Sequence, residues 1–478
     1  MPKNRFYVTT AIDYTNDVIH IGHAYQKVVA DVLARYYRQT LGEKNVFFLT
    51  GTDEHGSTSE QAAKKVGKEP KEFVDDISAK DKEQLNSLNV SYDRFIRTTD
   101  SDHIKIVEDF YRKVQENGDI YKDKYSGLYC VSCESYKTES EIIDGHCAIH
   151  PTKELEKVTE ENYFFRWSKY QEFLREHIQT HPEFVQPEGR RKEILSFLDQ
   201  GLKDITISRQ KEKVSWGIPV PGDPDQVIYV WFDALINYIS GAPEFWPADV
   251  QILGKDNLRW HALLWPAMLK SAGYELPKTI YAHGFLSLEG KKISKTLGNV
   301  IRPTELVEKF GVDPIRYYLI KFGPQKEDAD LSLEKIKETY NSDLANGLGN
   351  LVSRVTKLVE DQTLDSLKKY AEETQKGQTL LDDVGSKLEN FDFQSGLNLV
   401  WANISTLDRW INDEKPWELS PDERLKKLGK VVIAGEGLKG LLEIAEALKP
   451  FLPDTAEKIK KQFTGKIKPA SPLFPRLG

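Results

Sequence analysis

Three consecutive stretches constrain what this chain can fold into. RFYVTTAI (5–12) reads as a buried strand. Residues 24–41 repeat apolar groups at Ala24, Val28, Val32 and Tyr36, one face of a helix, and stop at Gly42. VFFLT (46–50) is a short, continuously apolar run of the kind buried in a parallel sheet. Strand, helix, strand is a βαβ unit and commits this part of the chain to an α/β fold. A second set follows: VIYVWF (227–232), VQILG (250–254) and TIYAHGFL (279–286) as strands, NLRWHALLWPAML (257–269) as a helix. Between the sets lie about a hundred residues of different texture, charged and holding all three cysteines, as expected of a domain inserted into the sheet. From about residue 332 strand signals vanish. Leu344, Leu348, Leu351, Val355 and Leu358 mark long amphipathic helices, so the C-terminal third is expected to be a helix bundle.

The first βα junction holds the most informative residues. HIGH (20–23) places His20 and His23 around Ile21 and Gly22, where the strand gives way to the helix. A metal site, a phosphate site and plain helix capping compete there. A metal needs further ligands nearby. Capping favours Ser, Thr, Asp or Asn and explains the glycine better than the imidazoles. A phosphate site fits the place: helix N-termini present free N–H groups and partial positive charge, Gly22 allows close approach, and imidazoles can donate to phosphate oxygens.

Composition narrows the class. The formal charge is −8, with 39% apolar residues, so 478 residues can build more than one core. Residues 421–478 run the other way, with twelve Lys and Arg against seven Asp and Glu, a local basic region on an acidic body. No run of ~18 apolar residues occurs to span a membrane. MPKNRFYVTT resembles neither a secretion signal nor a transit peptide, and three clustered cysteines do not read as disulfides. A cytoplasmic location is expected.

HIGH resembles the first signature of the class I aminoacyl-tRNA synthetases. KKISKT (291–296) resembles their second, the mobile lysine-rich loop, with Ile293 and Thr296 as conservative departures. FLTGTDEHG (48–56), WGIPVPGDP (216–224), YVWFDAL (229–235), GKDNLRWHALLWPAML (254–269) and AHGF (282–285) are similar to blocks of the methionyl-tRNA synthetase family, bacterial type, over essentially the whole chain. The resemblance implies a Rossmann-like parallel-sheet catalytic domain in two halves (1–115 and 226–275), split by a zinc-bearing insert (116–225). A loop and stem-contact region (276–331) and an all-α anticodon-binding bundle (332–478) follow. It implies activation of methionine by ATP to methionyl-adenylate and transfer to the 3′ end of initiator and elongator methionine tRNAs.

By position, the resemblance gives His20, His23, Lys292 and Lys295 the catalytic roles. It assigns ATP binding to His20, Gly22, His23, Lys255, Asp256, Lys292, Ser294 and Lys295, with Mg²⁺ accompanying ATP. Asp53 would hold the substrate ammonium, while Ile12, Tyr14, Trp231, Ala234, Tyr238 and His283 would line a pocket suited to a polarizable thioether. Asn350 and Arg354, one helical turn apart, and Pro416 with Trp417 match the family's anticodon-reading elements; such side chains can bond or stack on unpaired bases. Cys130-x2-Cys133-x13-Cys147-x2-His150 has the spacing of a closed, structural Zn²⁺ site, with His146 as a rival ligand less well spaced. The insert is too short for the editing domain of the leucyl, isoleucyl and valyl enzymes. Its clustered ligands differ from the pocket zinc of the cysteinyl enzyme. Another class I synthetase and a catalytically degenerate tRNA-binding protein are the alternatives. With no appended dimerising domain visible after the helical region, a monomer is expected.

Overall fold

The computed structural model describes residues 4–133, 135–137, 141–151, 154–293, 298–369, 379–435 and 438–478. The chain divides into two compact units: Met1–Ile19, Lys44–Gln84 and Tyr92–His283 form one, and His20–Glu43, Leu85–Ser91 and Gly284–Gly478 the other.

The first unit is built on a seven-stranded sheet of β1 (Phe6–Thr10), β2 (Asp13–Tyr14), β3 (Val46–Asp53), β4 (Arg94–Arg97), β5 (Val185–Gln186), β6 (Val250–Gly254) and β7 (Thr279–His283). Its order is β5-β7-β6-β1-β3-β2, with β4 also paired to β3. All these pairings are parallel. Every residue of β1 is buried, as a strand covered on both faces must be. β1 has β3 on one side and β6 on the other, and such a switch in strand order opens a crevice at the carboxyl ends of the strands.

Two elements differ from the sequence expectation. VIYVWF is not one strand: Asp223–Ile228 pairs antiparallel with Ser208–Gln210 and Pro219–Val220, outside the large sheet, and a short helix α1 (Val230–Ala234) follows. A short apolar run does not by itself distinguish strand from buried helix. Residues 257–269 are not one α-helix either. A π-helical segment (Trp260–Leu264) precedes α2 (Trp265–Ala272), with Pro266 in the first turn. Proline has no N–H for the regular i→i−4 bond, and a wider turn absorbs the break.

The insert forms a long antiparallel ladder of Ile120–Cys130 on Glu156–Phe165. At its tip a hairpin pairs Ile142–Ile143 with His146–Cys147 through Asp144 and Gly145, both at positive φ. Asp-Gly is the favoured dipeptide for that turn.

The second unit contains α3 (Ile21–Leu41), a small sheet of Leu286–Leu288, Lys291–Lys292 and Ala329–Leu331, and mostly helices beyond it. These include α4 (Val312–Phe322), α5 (Asn350–Leu358) and α6 (Phe393–Glu414). Buried leucines and valines of α5 and α6 face inward at helical spacing, as the amphipathic pattern predicts. Arg316 on α4 has no exposed surface. Its guanidinium donates to the carbonyls of Phe451 (2.8 Å), Leu88 and Pro450 (3.2 Å each) and pairs with Asp31 of α3 at 2.7 Å. Asp31 also accepts from Arg35 (2.7 Å) and from the backbone and hydroxyl of Ser91. Burial pushes the Asp31 carboxyl up, but the Arg316 and Arg35 guanidiniums outweigh it and hold the group below the usual carboxylate range. Its contribution is therefore present above the unfolded-state value and is lost as pH falls through the lower folded value.

Arg316→Met leaves Asp31 with Arg35 and Ser91 alone and takes the donor from three carbonyls, and is expected to cost about 3–5 kcal/mol in denaturant unfolding near neutral pH. The deficit should narrow in the acid range, because Asp31 in the variant, with one guanidinium fewer, takes up its proton at a higher pH than in the parent. The Asp31→Asn, Arg316→Met double variant should lose less than the sum of the single losses.

Candidate functional site

In the first unit the candidate residues gather at the carboxyl ends of the strands. β1 runs out toward Ile12, β2 ends at Tyr14, β3 at Asp53, β6 leads into Lys255 and Asp256, and β7 ends at His283. Asp53 is buried, with its backbone carbonyl accepting from Thr15 N at 3.1 Å. The Asp256 carboxylate folds back over the strand end, where a Cβ on Gly254 would lie 2.6 Å from its Oδ1. His283 is the register partner of Gly254 and lies beside that turn.

α1 supplies the aromatic wall. Trp231 meets the edge of Tyr14 (ring centroids 6.3 Å, 88°) and stacks on Trp260 (4.9 Å, 19°). Tyr238 and Ala234 are buried, and Ile12 packs against the same core. Sequence reasoning missed His261. Its Nε2 accepts the Tyr238 hydroxyl at 2.7 Å and its Nδ1 donates to the Asn257 carbonyl at 2.9 Å. Burial pushes its pKa down to about 4, so it is neutral at physiological pH. No signal singled it out within WHALLW, where a histidine reads as core.

Also missed was the clamp behind this wall. Asp233 of α1 is buried between His55 Nδ1 and His103 Nε2, each at 2.7 Å, and His103 Nδ1 meets Ser240 Oγ at 2.7 Å. Burial pushes the Asp233 carboxyl up, but the two histidines, His55 foremost, bring it below its ordinary value. Glu54, next to Asp53, is held by Arg97 at 2.6 and 2.8 Å and by Thr52 and Thr99.

In the insert, Cys130 and Cys147 are buried and unbridged. Their sulfurs and a nitrogen of His150 lie within 4.8 Å of one another, with Cys130 Sγ 3.8 Å from His150 Nδ1. Tetrahedral zinc with Zn–S of about 2.3 Å sets neighbouring ligand atoms about 3.5–3.8 Å apart, so the three fit such an ion. The side chain of Cys133 lies outside the described residues. His146 Nδ1 instead meets the Asp144 carbonyl at 2.9 Å.

The second unit holds the two signatures. His20 is the N-cap of α3: its Nδ1 accepts the Gly22 N–H at 3.1 Å, while His23 Nδ1 accepts the His20 N–H at 3.3 Å. The rings stack at 3.9 Å. Capping therefore does explain the imidazoles, and it serves the phosphate reading. With Nδ1 of both rings accepting, each neutral ring carries its proton on Nε2 as a donor. Gly22 is fixed by the same cap, because a Cβ would lie 2.9 Å from His20 Cε1.

That Cβ would also stand 3.9 Å from Ile293 Cδ1, and Ile21 N donates to the Ile301 carbonyl at 3.0 Å, so the two signatures adjoin. Lys292 is exposed at the end of its strand, and its carbonyl accepts from Asn299 at 3.0 Å. Ser294 and Lys295 lie outside the described residues.

Further along, Asn350 is exposed at the start of α5. Arg354 bonds Asp408 (2.6 Å) and Asn412 (2.7 Å) of α6. Pro416 is buried and Trp417 is 44% exposed. Arg424, which sequence reasoning missed, donates to both of their carbonyls.

The capped histidine pair beside the lysine-bearing hairpin is the arrangement of a class I aminoacyl-tRNA synthetase. The family model described as tRNA synthetases class I (M) matches residues 6–158 and 137–356. The methionine–tRNA ligase of Thermotoga maritima is 41% identical over 98% of this chain and 76% of its own length. That of Caldanaerobacter subterraneus is 42% identical over 96% of this chain and 74% of its own. A solved methionyl-tRNA synthetase of Mycobacterium tuberculosis, in complex with methionyl-adenylate, superposes with a TM-score of 0.88 at 34% identity, covering 99% of this chain and all of that one. The chain belongs to the methionyl-tRNA synthetase family.

Gly22→Ala should displace the His20 ring and lower methionine-dependent ATP–pyrophosphate exchange at least tenfold. Stability should fall by no more than a lost cap, about 0.5–2 kcal/mol. Comparing exchange rates with unfolding midpoints separates the two effects.

Proposed function

We infer that this chain is a methionine–tRNA ligase. It joins methionine to ATP as methionyl-adenylate, releasing pyrophosphate, and then esterifies the 3′ end of a methionine tRNA, releasing AMP. The observation that carries this is the capped His20–Gly22–His23 turn adjoining the Lys292 hairpin, within a chain similar to methionine–tRNA ligases over nearly its whole length.

The residues support a division of labour. The substrate carboxylate attacks the α-phosphorus of ATP, forming the mixed anhydride as the α–β bridging bond breaks. No protein nucleophile is needed, so catalysis is positioning and charge stabilisation. The Nε2–H groups of His20 and His23 donate to phosphate oxygens at the start of α3, where the N–H groups of the first turn add partial positive charge. Lys292, and Lys295 and Ser294 beyond it, meet the departing pyrophosphate and offset its charge. Asp53 takes the substrate ammonium. Lys255 and Asp256 serve the nucleotide, and His283, at the end of β7, belongs to the side-chain pocket. Ile12, Tyr14, Trp231, Ala234 and Tyr238, joined by His261, enclose the thioether against aromatic faces.

Cys130, Cys133, Cys147 and His150 would hold a structural zinc ion, which when bound cross-links the tip of the insert. Residues 332–478, through Asn350, Arg354, Pro416 and Trp417, would read the anticodon.

With all twenty amino acids offered in ATP–pyrophosphate exchange with Mg²⁺, methionine alone should support turnover. Exchange with another amino acid instead would keep the class and overturn the pocket. Plasma emission spectrometry should find one zinc per chain, and Cys147→Ser should lose that metal together with several degrees of thermal midpoint.

A further inference from the structure

Arg259 stands where the insert meets the sheet. It lies shortly after β6 and immediately before the π-helical segment Trp260–Leu264, all within the first unit. Its guanidinium donates to Glu141 Oε1 at 2.8 Å. Glu141 immediately precedes the hairpin at the tip of the insert, and its carbonyl accepts the Ala148 N–H at 3.0 Å. The same guanidinium lies 5.3 Å from the ring centroid of Phe197, on the insert helix Glu188–Asp199. Two separate pieces of the insert, both remote in sequence, thus meet on one side chain.

Beyond that contact lies an aromatic stack. The guanidinium is 4.7 Å from the ring centroid of Trp260, which is buried. Trp260 is nearly parallel to Trp231 (4.9 Å, 19°) and to Trp167 (6.4 Å, 15°). Trp167 is itself fixed, its Nε1 donating to the Leu263 carbonyl at 3.3 Å. Trp231 meets the edge of Tyr14 at the end of β2. From Glu141 to Tyr14 the contacts run carboxylate, guanidinium, indole, indole, phenol. Trp231 is partly exposed while Val230 and Phe232 beside it are buried, so the stack ends on a surface a ligand can reach.

We propose that Arg259 is a positioning residue for the amino-acid substrate: held by Glu141, it sets the orientation of Trp260 and, through it, the face that Trp231 offers to the substrate side chain. The proposal rests on the reading of Trp231 as pocket wall and deepens it. A guanidinium is planar and pre-organised by its bond to a carboxylate, and its charge is drawn to the face of an indole. A wall already ordered in this way spares the ligand the cost of ordering it, whereas a wall with several tilts lowers the apparent affinity by the fraction in the competent one. Arg259 and Glu141 are not among the residues proposed for ATP, so the effect falls on the amino acid.

The test measures kcat and the KM values for methionine and ATP in ATP–pyrophosphate exchange. Arg259→Leu should raise KM for methionine about fivefold, the worth of one partly desolvated cation–π contact. KM for ATP and kcat should not change, a split that a side chain needed only for folding would not produce. Arg259→Lys, which keeps the charge without the plane, should recover part of the loss. Glu141→Gln should raise the methionine KM by less. Added to Arg259→Leu it should raise it no further, since Glu141 acts through Arg259. The proposal is overturned if Arg259→Leu leaves the methionine KM unaltered, if it moves both KM values together, or if the two substitutions add. Trp231→Ala, run alongside, separates the failures: if it raises the methionine KM while Arg259→Leu does not, the role of Arg259 alone is wrong. If it too is silent, the pocket reading falls with it.

Discussion

A carboxylate almost wholly withdrawn from water organises the proposed amino-acid pocket. Asp233 can stay ionised only because two imidazoles, from positions far away in the chain, donate to its two oxygens. His55 lies two residues beyond Asp53, at the end of β3, whereas Asp233 lies two residues beyond Trp231 on α1. The ionic clamp therefore fixes the distance between the group proposed for the substrate ammonium and the wall proposed for its side chain. Glu54 reinforces it from the other side through Arg97. Removing one imidazole would leave a charge uncompensated where water cannot reach it, which makes the geometry rigid.

Four strands of the large sheet, β1, β3, β6 and β7, were legible because parallel strands buried on both faces read as apolar runs, whereas β2, β4 and β5, short or partly polar, gave no such signal. The histidine signature was legible too, since residue types and order survive in the primary sequence. The clamp was not. His55, His103 and Asp233 lie in three separate elements, and each alone reads as an ordinary polar residue. The role of Nδ1 in the cap was equally hidden: His20 is a poor cap by residue statistics, and only the fold shows its ring turned back onto Gly22. VIYVWF misled for the opposite reason, being apolar enough for a strand while its second half has to turn so that Asp233 can reach its histidines.

Among the described residues, two π-helical segments lie where function is proposed, one carrying Trp260 and His261, the other running directly into α5 at Asn350. Hydrophobic periodicity cannot distinguish a π-turn inside a helix from an α-turn over so few residues, so both stretches read as plain amphipathic helix. In the first, Pro266 provides the physical cause. In the second, Gly347 and Gly349 make departure from α geometry inexpensive, since glycine favours the α-helix least among ordinary residues.

The pairing of Tyr238 with His261 bears on substrate choice. A charged histidine in the proposed pocket would favour an anionic or strongly polar side chain. Burial removes that charge, and the hydrogen bonds fix the neutral tautomer, with Nδ1–H on the Asn257 carbonyl and Nε2 occupied by the tyrosine hydroxyl. Both polar groups thus spend their main hydrogen bonds within the wall, which leaves the proposed pocket the aromatic rings of Trp231, Trp260 and Tyr238. Sulfur–aromatic contacts are worth about 0.3–1.5 kcal/mol each, so several around one thioether amount to a useful preference over a methylene of similar size. The same surface would reject a side chain carrying a charge or an unmatched donor, because its desolvation would go uncompensated.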